Sequence, residues 1–450
     1  MANRVHSMTD GSPAKLLLSF SLPLMLGNVF QQVYTVVDTM VVGQGVGLHA
    51  LAALGSGDWL YWMILGIVQG LTQGFSILMA QHFGAKSWED LRKAVGASVV
   101  LSAVSSLFLV ILAQLTVQPI LLLLQTPDDI LPDALLYLRI MFSGIPIVMA
   151  YNLLACILRS LGDGKTPLYA MVVACLLNII LDLLFIMLFR WGIIGAAAAT
   201  LLAQVFSCVF CLRQLRKISI LKLQSEHFGS SISLAGRLFG LGMPMAFQNM
   251  IIAVGGMIIQ TVVNGFGVLF IAGFTASNKL YGMLEIAATS YGYAMTTYVG
   301  QNLGARKLDR IRTGTRTGVI IAVLTSLLIT ALMLTFGRLI LSLFISGTPE
   351  EIAKTMEIAY EYLSVMSICL PILYLLHVFR SSIQGMGNTV LPMVSGIAEF
   401  VMRTGGVLLL PMFLNEWGIY FSEVLAWVGA DLILIPSFFV TIHRMKNERR

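Results

Sequence analysis

Twelve stretches of nearly continuous apolar residues, separated by short polar connections, make up most of the chain. They run approximately over 16–43, 51–80, 92–118, 134–158, 167–189, 193–212, 238–262, 268–298, 317–345, 357–384, 391–413 and 418–442. Each reaches or approaches the ~20 residues that a helix needs to cross a bilayer. The runs are too long and continuous for barrel strands, which alternate over ~10 residues. The pattern predicts an all-α, polytopic membrane protein with twelve transmembrane helices.

Composition supports this. The 450 residues are 57% hydrophobic and 11% charged, with mean hydropathy +0.86. A soluble domain carries about 25% charged residues. The net charge of +6 matters through its placement. With the N-terminus inside, 22 of the 28 Lys and Arg fall in inner segments, among them Arg4, Lys15, the run Arg213–Arg237, the run Arg306–Arg316, and Arg444, Lys446, Arg449 and Arg450. The positive-inside rule then places both termini in the cytoplasm and the protein in the cell (inner) membrane. The basic loops read as orientation signals, and no nucleic-acid role is expected. Residues 1–15 are polar and the first apolar run is of spanning length, so it is expected to be a retained anchor. All five cysteines lie in apolar runs, and Cys208-x-x-Cys211 has no second pair or nearby His cluster, so no metal is expected there.

The two halves repeat. Pro23 returns as Pro244, an offset of 221; Gln81…Gly84-Ala85-Lys86 returns as Gln301…Gly304-Ala305-Arg306, an offset of 220; Leu161-Gly162-Asp163…Pro167 returns as Met386-Gly387-Asn388…Pro392, an offset of 225. Six spans per half is an even number, so the halves share one orientation and a pseudo-twofold axis along the membrane normal is expected. The expected division is a six-helix bundle over 1–212, a cytoplasmic linker over 213–237 and a second six-helix bundle over 238–450. A substrate path is expected in the cleft between the bundles.

The first span breaks its own apolar pattern. Within Pro23–Gly43, Asn28, Gln31, Gln32, Thr35 and Asp38 recur every three or four residues and form one helical stripe. An ionisable group at the membrane centre costs at least ~2.5–3.5 kcal/mol, so Asp38 must face protein or a water-filled cavity. A second cluster, Asn178 and Asp182 in the fifth span, shares one face at a spacing of four. Thr200 in the sixth span adds a hydroxyl. Two neighbouring carboxylates in a medium of low dielectric cannot both ionise cheaply, so such a pair holds a proton near neutral pH. The same oxygens suit Na⁺ if enough carbonyls and hydroxyls converge. Ion coupling is therefore assigned to Asp38, Asn178, Asp182 and Thr200, with Tyr34 and Gln31 as neighbours.

The second half departs from this pattern. Asp38 maps to Ile259, Asn178 to Arg403 and Asp182 to Val407. Glu399 precedes Arg403 by four and reads as a structural ion pair. Gln248, Asn249 and Glu285 are candidate substrate-cleft residues; His377 and Arg380 are weaker candidates. Gly164-Lys165-Thr166 resembles the end of a phosphate-binding loop, but Arg159 stands where that motif needs glycine and a membrane helix precedes it, so no ATP site is expected.

Taken in order over nearly the full length, these features resemble the multidrug and toxic compound extrusion (MATE) family. The resemblance rests on Pro23…Gln32…Tyr34-x-x-Val37-Asp38…Gly43, on Gln81…Gly84-Ala85 and its repeat, on Gly162-Asp163…Thr166-Pro167, on Asn178…Asp182 and on Gly195-Ala196…Thr200. It implies two six-helix bundles in a V, exporting organic cations and other xenobiotics in exchange for H⁺ or Na⁺, with no cofactor and a first-half cation site at Asp38, Asn178, Asp182 and Thr200, beside Tyr34. The NorM-like branch carries a Glu about where Gln248 stands, so the chain is more similar to the DinF-like branch, for which H⁺ is the expected coupling ion. A monomer embedded in the lipid bilayer is expected. An alternative in the same superfamily is a flippase or exporter of lipid-linked or polyanionic precursors, which needs a strongly cationic cavity; only Lys279 and Arg403 are candidates for it. An intramembrane enzyme or receptor is disfavoured, because no nucleophile–base pair, HExxH motif or soluble domain is present.

Overall fold

A computed structural model describes residues 5–124, 126–229, 231–345 and 348–447. The topology residues Arg4, Arg449 and Arg450 lie outside the described residues. Within them the chain is helical, with no strand. The helices are α1 (Pro13–Gly45), α2 (Leu48–Gly84), α3 (Trp88–Leu123), α4 (Leu131–Ser143), α5 (Ile145–Ser160), α6 (Lys165–Asp182), α7 (Gly192–Leu215), α8 (Ile232–Val263), α9 (Val268–Gly304), α10 (Leu308–Leu341), α11 (Pro349–Ile368), α12 (Leu370–Gly385), α13 (Val390–Leu409), α14 (Pro411–Leu414) and α15 (Glu416–Asn447).

Nine of these segments are long and apolar enough to span alone among the described residues, and two bent pairs bring the number to eleven. The twelfth expected span is α9, whose 37 residues reach about 55 Å. Lys279, Glu285 and a run of small polar residues make it less apolar. The bent pairs are α4–α5, at 46°, and α11–α12, at 47°. Each second helix carries proline at its second position, Pro146 and Pro371. Proline offers no N–H to the preceding turn, so the bond ladder breaks there and the axis turns.

The repeat is written in the backbone. Residues with positive φ recur at the sequence offsets: Gly47 at 114° and Gly267 at 92°, Lys86 at 57° and Arg306 at 58°, Gly162 at 81° and Gly387 at 88°, Arg190 at 57° and Asn415 at 51°. The Gly-Ala turns also match bond for bond. Ala85 N donates to Gln81 O at 2.9 Å, as Ala305 N does to Gln301 O, while Ser87 N and Lys307 N close onto His82 O and Asn302 O. Asp163 accepts from Lys165 N and Thr166 N and thereby caps α6; Asn388 Oδ1 accepts from Leu391 N to cap α13. The Gly-Asp-Gly-Lys-Thr-Pro motif is thus a helix cap.

Two compact units form, and their limits differ from the linear division. One gathers Leu22–Ala246 with the residues before Met8; the other gathers Met8–Ser21 with the chain from Phe247 onward. The first turns of α1 therefore belong with the second unit, and the first half of α8 belongs with the first. Both changes of unit fall within three residues of the repeated prolines, Pro23 and Pro244.

Within the first unit, α2 and the early part of α8 meet at backbone contact. A Cβ on Gly70 would lie 2.4 Å from Ala246 Cα, and one on Gly74 would lie 2.3 Å from Gly242 Cα. Both helices present small residues four apart at this crossing. In a bilayer, where burying apolar surface gives little drive, such close approach supplies the packing. The 213–237 segment packs on α3 in this unit. Arg92 Nε donates to Ile220 O at 3.0 Å, and Gly96 leaves room for His227 O.

In the second unit, the segment Met8–Gly11 is held by the end of α9 and the start of α10. Met8 N donates to Gln301 Oε1 at 2.7 Å, Asn302 Nδ2 donates to Met8 O, and Arg310 Nη2 donates to Gly11 O. Lys307 pairs with Asp10 at 2.7 Å, and this bond holds the Asp10 carboxyl below its ordinary range. The Gln-Asn-Leu-Gly-Ala-Arg motif thus serves as an anchorage for the N-terminal segment.

Candidate functional site

The sequence-derived candidates in the first unit converge from three helices. Asp38 and Tyr34 stand one turn apart on α1, Asn178 and Asp182 one turn apart on α6, and Thr200 on α7. Asn178 is 2% exposed and Asp182 is fully buried, while Asp38 and Tyr34 are half-buried. Thr200 Oγ1 joins the group: Tyr34 Oη lies 3.4 Å from it, and Asn178 Nδ2 donates to it at 3.5 Å. The carboxyls of Asp38 and Asp182 lie within hydrogen-bonding reach of each other.

No donor among the described residues serves Asp38 Oδ1, Asn178 Oδ1 or either oxygen of Asp182. No Lys, Arg or His among the described residues forms an ion pair with Asp38 or Asp182. Ionised carboxylates only accept hydrogen bonds, so two facing each other require a proton or a cation between them. Two like charges ~4 Å apart cost about 4 kcal/mol at an effective dielectric of ~20.

The helix bearing Asp182 changes form at that residue. Leu183–Leu188 is a wider, π-type turn, followed by Arg190 and Gly192 at positive φ. Phe185 stacks on both Phe189 and Trp191 there, with Phe185 and Trp191 at 4.9 Å between centroids, and Phe189 is tilted against Trp191. Wide turns of this kind occur often at functional sites because they re-aim side chains.

Gln31 is not drawn into this group. It is exposed, and its carbonyl accepts from Thr35 Oγ1 at 3.0 Å. Sequence reasoning missed Asp58 and Tyr61 of α2 and Tyr137 of α4, which lie in electrostatic range of the site. The available signal was an acid set among glycines and tryptophans at the start of the second apolar run.

In the second unit, the candidate cleft residues separate. Gln248 is 2% exposed and accepts from Gln384 Nε2 at 3.5 Å, fitted against Gly396. Asn249 is half-buried one residue further on α8. Glu285 Oε1 lies 3.6 Å from His377 Nε2. The Glu399–Arg403 pair forms at 2.9 Å and is part of a larger lattice. Arg380 Nη2 donates to Glu399 Oε2 at 2.6 Å, and Arg403 Nη2 lies 3.0 Å from Glu423 Oε2. Gly255 admits the Arg403 side chain beside α8. Asp431 of α15 is also buried, at 7% exposure, within the field of Arg380. Glu423 was missed because its partner, Arg403, lies on another helix, and Asp431 because the field of Arg380 reaches it from α12. Lys279 is exposed.

One further cluster has metal-like composition: Glu89, Glu226 and His227. The His227 ring argues against that use. Its Nδ1 accepts from Gln224 N at 2.8 Å, so Nε2 carries the proton and donates toward Glu89 Oε2 at 3.4 Å. The cluster ties the 213–237 segment to α3. The cysteines, Cys208 and Cys211 included, are all free.

Comparison with known proteins agrees with the repeat and the fold. The MatE family profile matches residues 23–184 and again 244–406. The chain is 30% identical over 417 residues to the probable multidrug resistance protein YpnP of Bacillus subtilis (strain 168), covering 92% of each chain. It is 28% identical to the probable multidrug resistance protein YoeA of the same organism, over 95% of this chain and 87% of that protein. A crystal structure of MATE in complex with MaL6 superposes with a TM-score of 0.92 at 22% identity, over 99% of this chain and 100% of the other. The chain belongs to the MatE family of multi-pass membrane transporters, and is not an enzyme.

Proposed function

We propose that this transporter is a multidrug efflux antiporter that exports organic cations across the cytoplasmic membrane in exchange for H⁺, with both termini in the cytoplasm. The observation that carries this reading is the Asp38–Asp182 pair: two carboxyls facing each other, with no protein cation beside them and three oxygens without a donor. A shared proton is the smallest species that satisfies both groups. Tyr34, Asn178 and Thr200 hold the α1, α6 and α7 faces in register around it.

The coupling follows from population shift. A bound proton acts only through its different affinity for the inward- and outward-open forms. A pair that must be singly protonated when the helices close on it, and opens to water when they part, has that difference built in. Each tenfold change in proton affinity between the forms shifts their balance by about 1.4 kcal/mol. Substrate and proton then exchange because they favour opposite forms.

Sodium remains the alternative ion, since Asn178 Oδ1 and the carboxyl oxygens are also cation ligands. Gln248, packed against Gln384 rather than replaced by an acid, supports the DinF-like placement. The polyanion-exporting alternative finds less support. Arg380 and Arg403 are neutralised by glutamates, and Lys279 lies outside the lattice.

The test is efflux of a fluorescent organic cation from proteoliposomes under separately imposed pH and Na⁺ gradients. The expected result is efflux that follows the pH gradient and is lost in Asp38→Asn. Efflux driven by Na⁺ alone overturns the choice of ion. Transport indifferent to both Asp38→Asn and Asp182→Asn overturns the site.

A further inference from the structure

The second unit has an open groove of about 890 Å³ where the end of α15 passes the start of α10. Arg312 of α10 and His443, Arg444 and Lys446 of α15 line it together with Phe439 and Val440. Among the described residues no acidic side chain lines it. Phe439 is 55% exposed and Val440 67%. The Phe439 ring lies edge-on to Phe438 at 5.5 Å and tilted against Phe379 at 6.3 Å. Arg316 follows Arg312 by four residues, is exposed, and extends the basic strip by one turn on the same face of α10.

We propose that this groove binds an anionic phospholipid, its phosphodiester held by Arg312, Arg444 and Lys446 and an acyl chain lying along Phe439 and Val440. Three arguments favour this occupant. The groove concentrates positive charge at a helix end that terminates a membrane span, the depth of the lipid headgroups. Arginine offers a planar fork of donors that matches a phosphodiester, and lysine adds a mobile point charge. A free phosphate has no use for the exposed phenylalanine and valine beside it, whereas a lipid covers them. The inference does not depend on the coupling ion or the transported substrate.

The experiment measures lipid retention by the intact protein in detergent, using native mass spectrometry with phosphatidylglycerol or phosphatidylcholine as the added lipid. Saturable binding of phosphatidylglycerol in preference to phosphatidylcholine is expected. Removing one charge is expected to weaken it about fivefold, and the triple variant Arg312→Gln, Arg444→Gln, Lys446→Gln about a hundredfold. Arg312→Lys is expected to retain most of the affinity. Millimolar inorganic phosphate is expected to leave the lipid bound. The proposal is overturned if both lipids bind equally, if the triple variant binds phosphatidylglycerol within threefold of wild type, or if inorganic phosphate displaces the lipid. Should the triple variant fail to elute as a single species, Arg312→Gln carries the test: fivefold weakening supports the site, and unchanged binding overturns it.

Discussion

Asp38 and Asp182 in the first unit face each other with no cationic side chain between them, whereas Glu399 and Glu423 in the second each touch an arginine. The two units share a fold and much of their turn geometry, so the scaffold does not account for the contrast. The side chains at equivalent places do. Arg403 stands where the repeat has Asn178, and brings into the second unit the positive charge that the first lacks. A buried acid that has its own arginine needs nothing from solution. A buried pair of acids without one must borrow a proton or a metal cation. The difference divides the molecule into a half whose facing acids have no arginine and a half whose buried Glu399 and Glu423 do.

The largest expected effect comes from unbalancing the matched half. Arg403→Leu strands Glu423, takes from Glu399 one of its two arginines, and should lower stability by about 3–5 kcal/mol, seen as a lower thermal midpoint and loss of monodisperse protein. Adding Glu423→Gln should restore part of it. If Arg403→Leu is as stable as wild type, the lattice is not structural. Asp182→Asn should do the reverse: efflux in proteoliposomes falls at least a hundredfold, while the thermal midpoint holds or rises because an unpartnered buried acid is gone. A strong loss of stability there would make Asp182 a structural residue. Thr200→Val removes the hydroxyl shared by Tyr34 and Asn178, about 1 kcal/mol of net hydrogen bonding, and should slow efflux about fivefold in the same assay. Asp431→Asn should be the mildest, within threefold of wild type. A larger loss would give the second unit an exchanging acid and erase the contrast.

Much of the fold was legible because membrane spans announce themselves as unbroken apolar runs. The twelve runs match the helices and bent pairs, and the offsets of 220 to 225 reappear as matched positive-φ residues. The bends at Ile145–Pro146 and Leu370–Pro371 were not anticipated, since hydropathy is blind to direction. The crossing of α2 with α8 was missed for a different reason: Gly70, Gly74, Gly242 and Ala246 read as ordinary small residues until their partner helix is known. Assigning α1 and α8 whole to one bundle each followed from cutting the sequence between segments, whereas both helices change packing partner near a proline. At the site, Asp38, Asn178, Asp182 and Thr200 stood out as polar groups in apolar runs, and their mutual approach agrees with that reading. Gln31 lay on the same stripe but is exposed. Glu423 became visible only through tertiary contacts, because an acid without an i,i+4 partner says nothing of the arginine two helices away, and Arg380, a weaker candidate by sequence, finds its partner Glu399 only there.

The most direct test of the contrast is proton release on substrate binding. Purified protein in weakly buffered detergent solution would be mixed with a transported organic cation while a pH-sensitive dye is followed, for wild type, Asp182→Asn and Asp431→Asn, a buried acid of the second unit. Release of about one proton per substrate bound, lost in Asp182→Asn and kept in Asp431→Asn, is the expected result. Release that survives Asp182→Asn, or vanishes in Asp431→Asn, would contradict the assignment of exchange to the first unit.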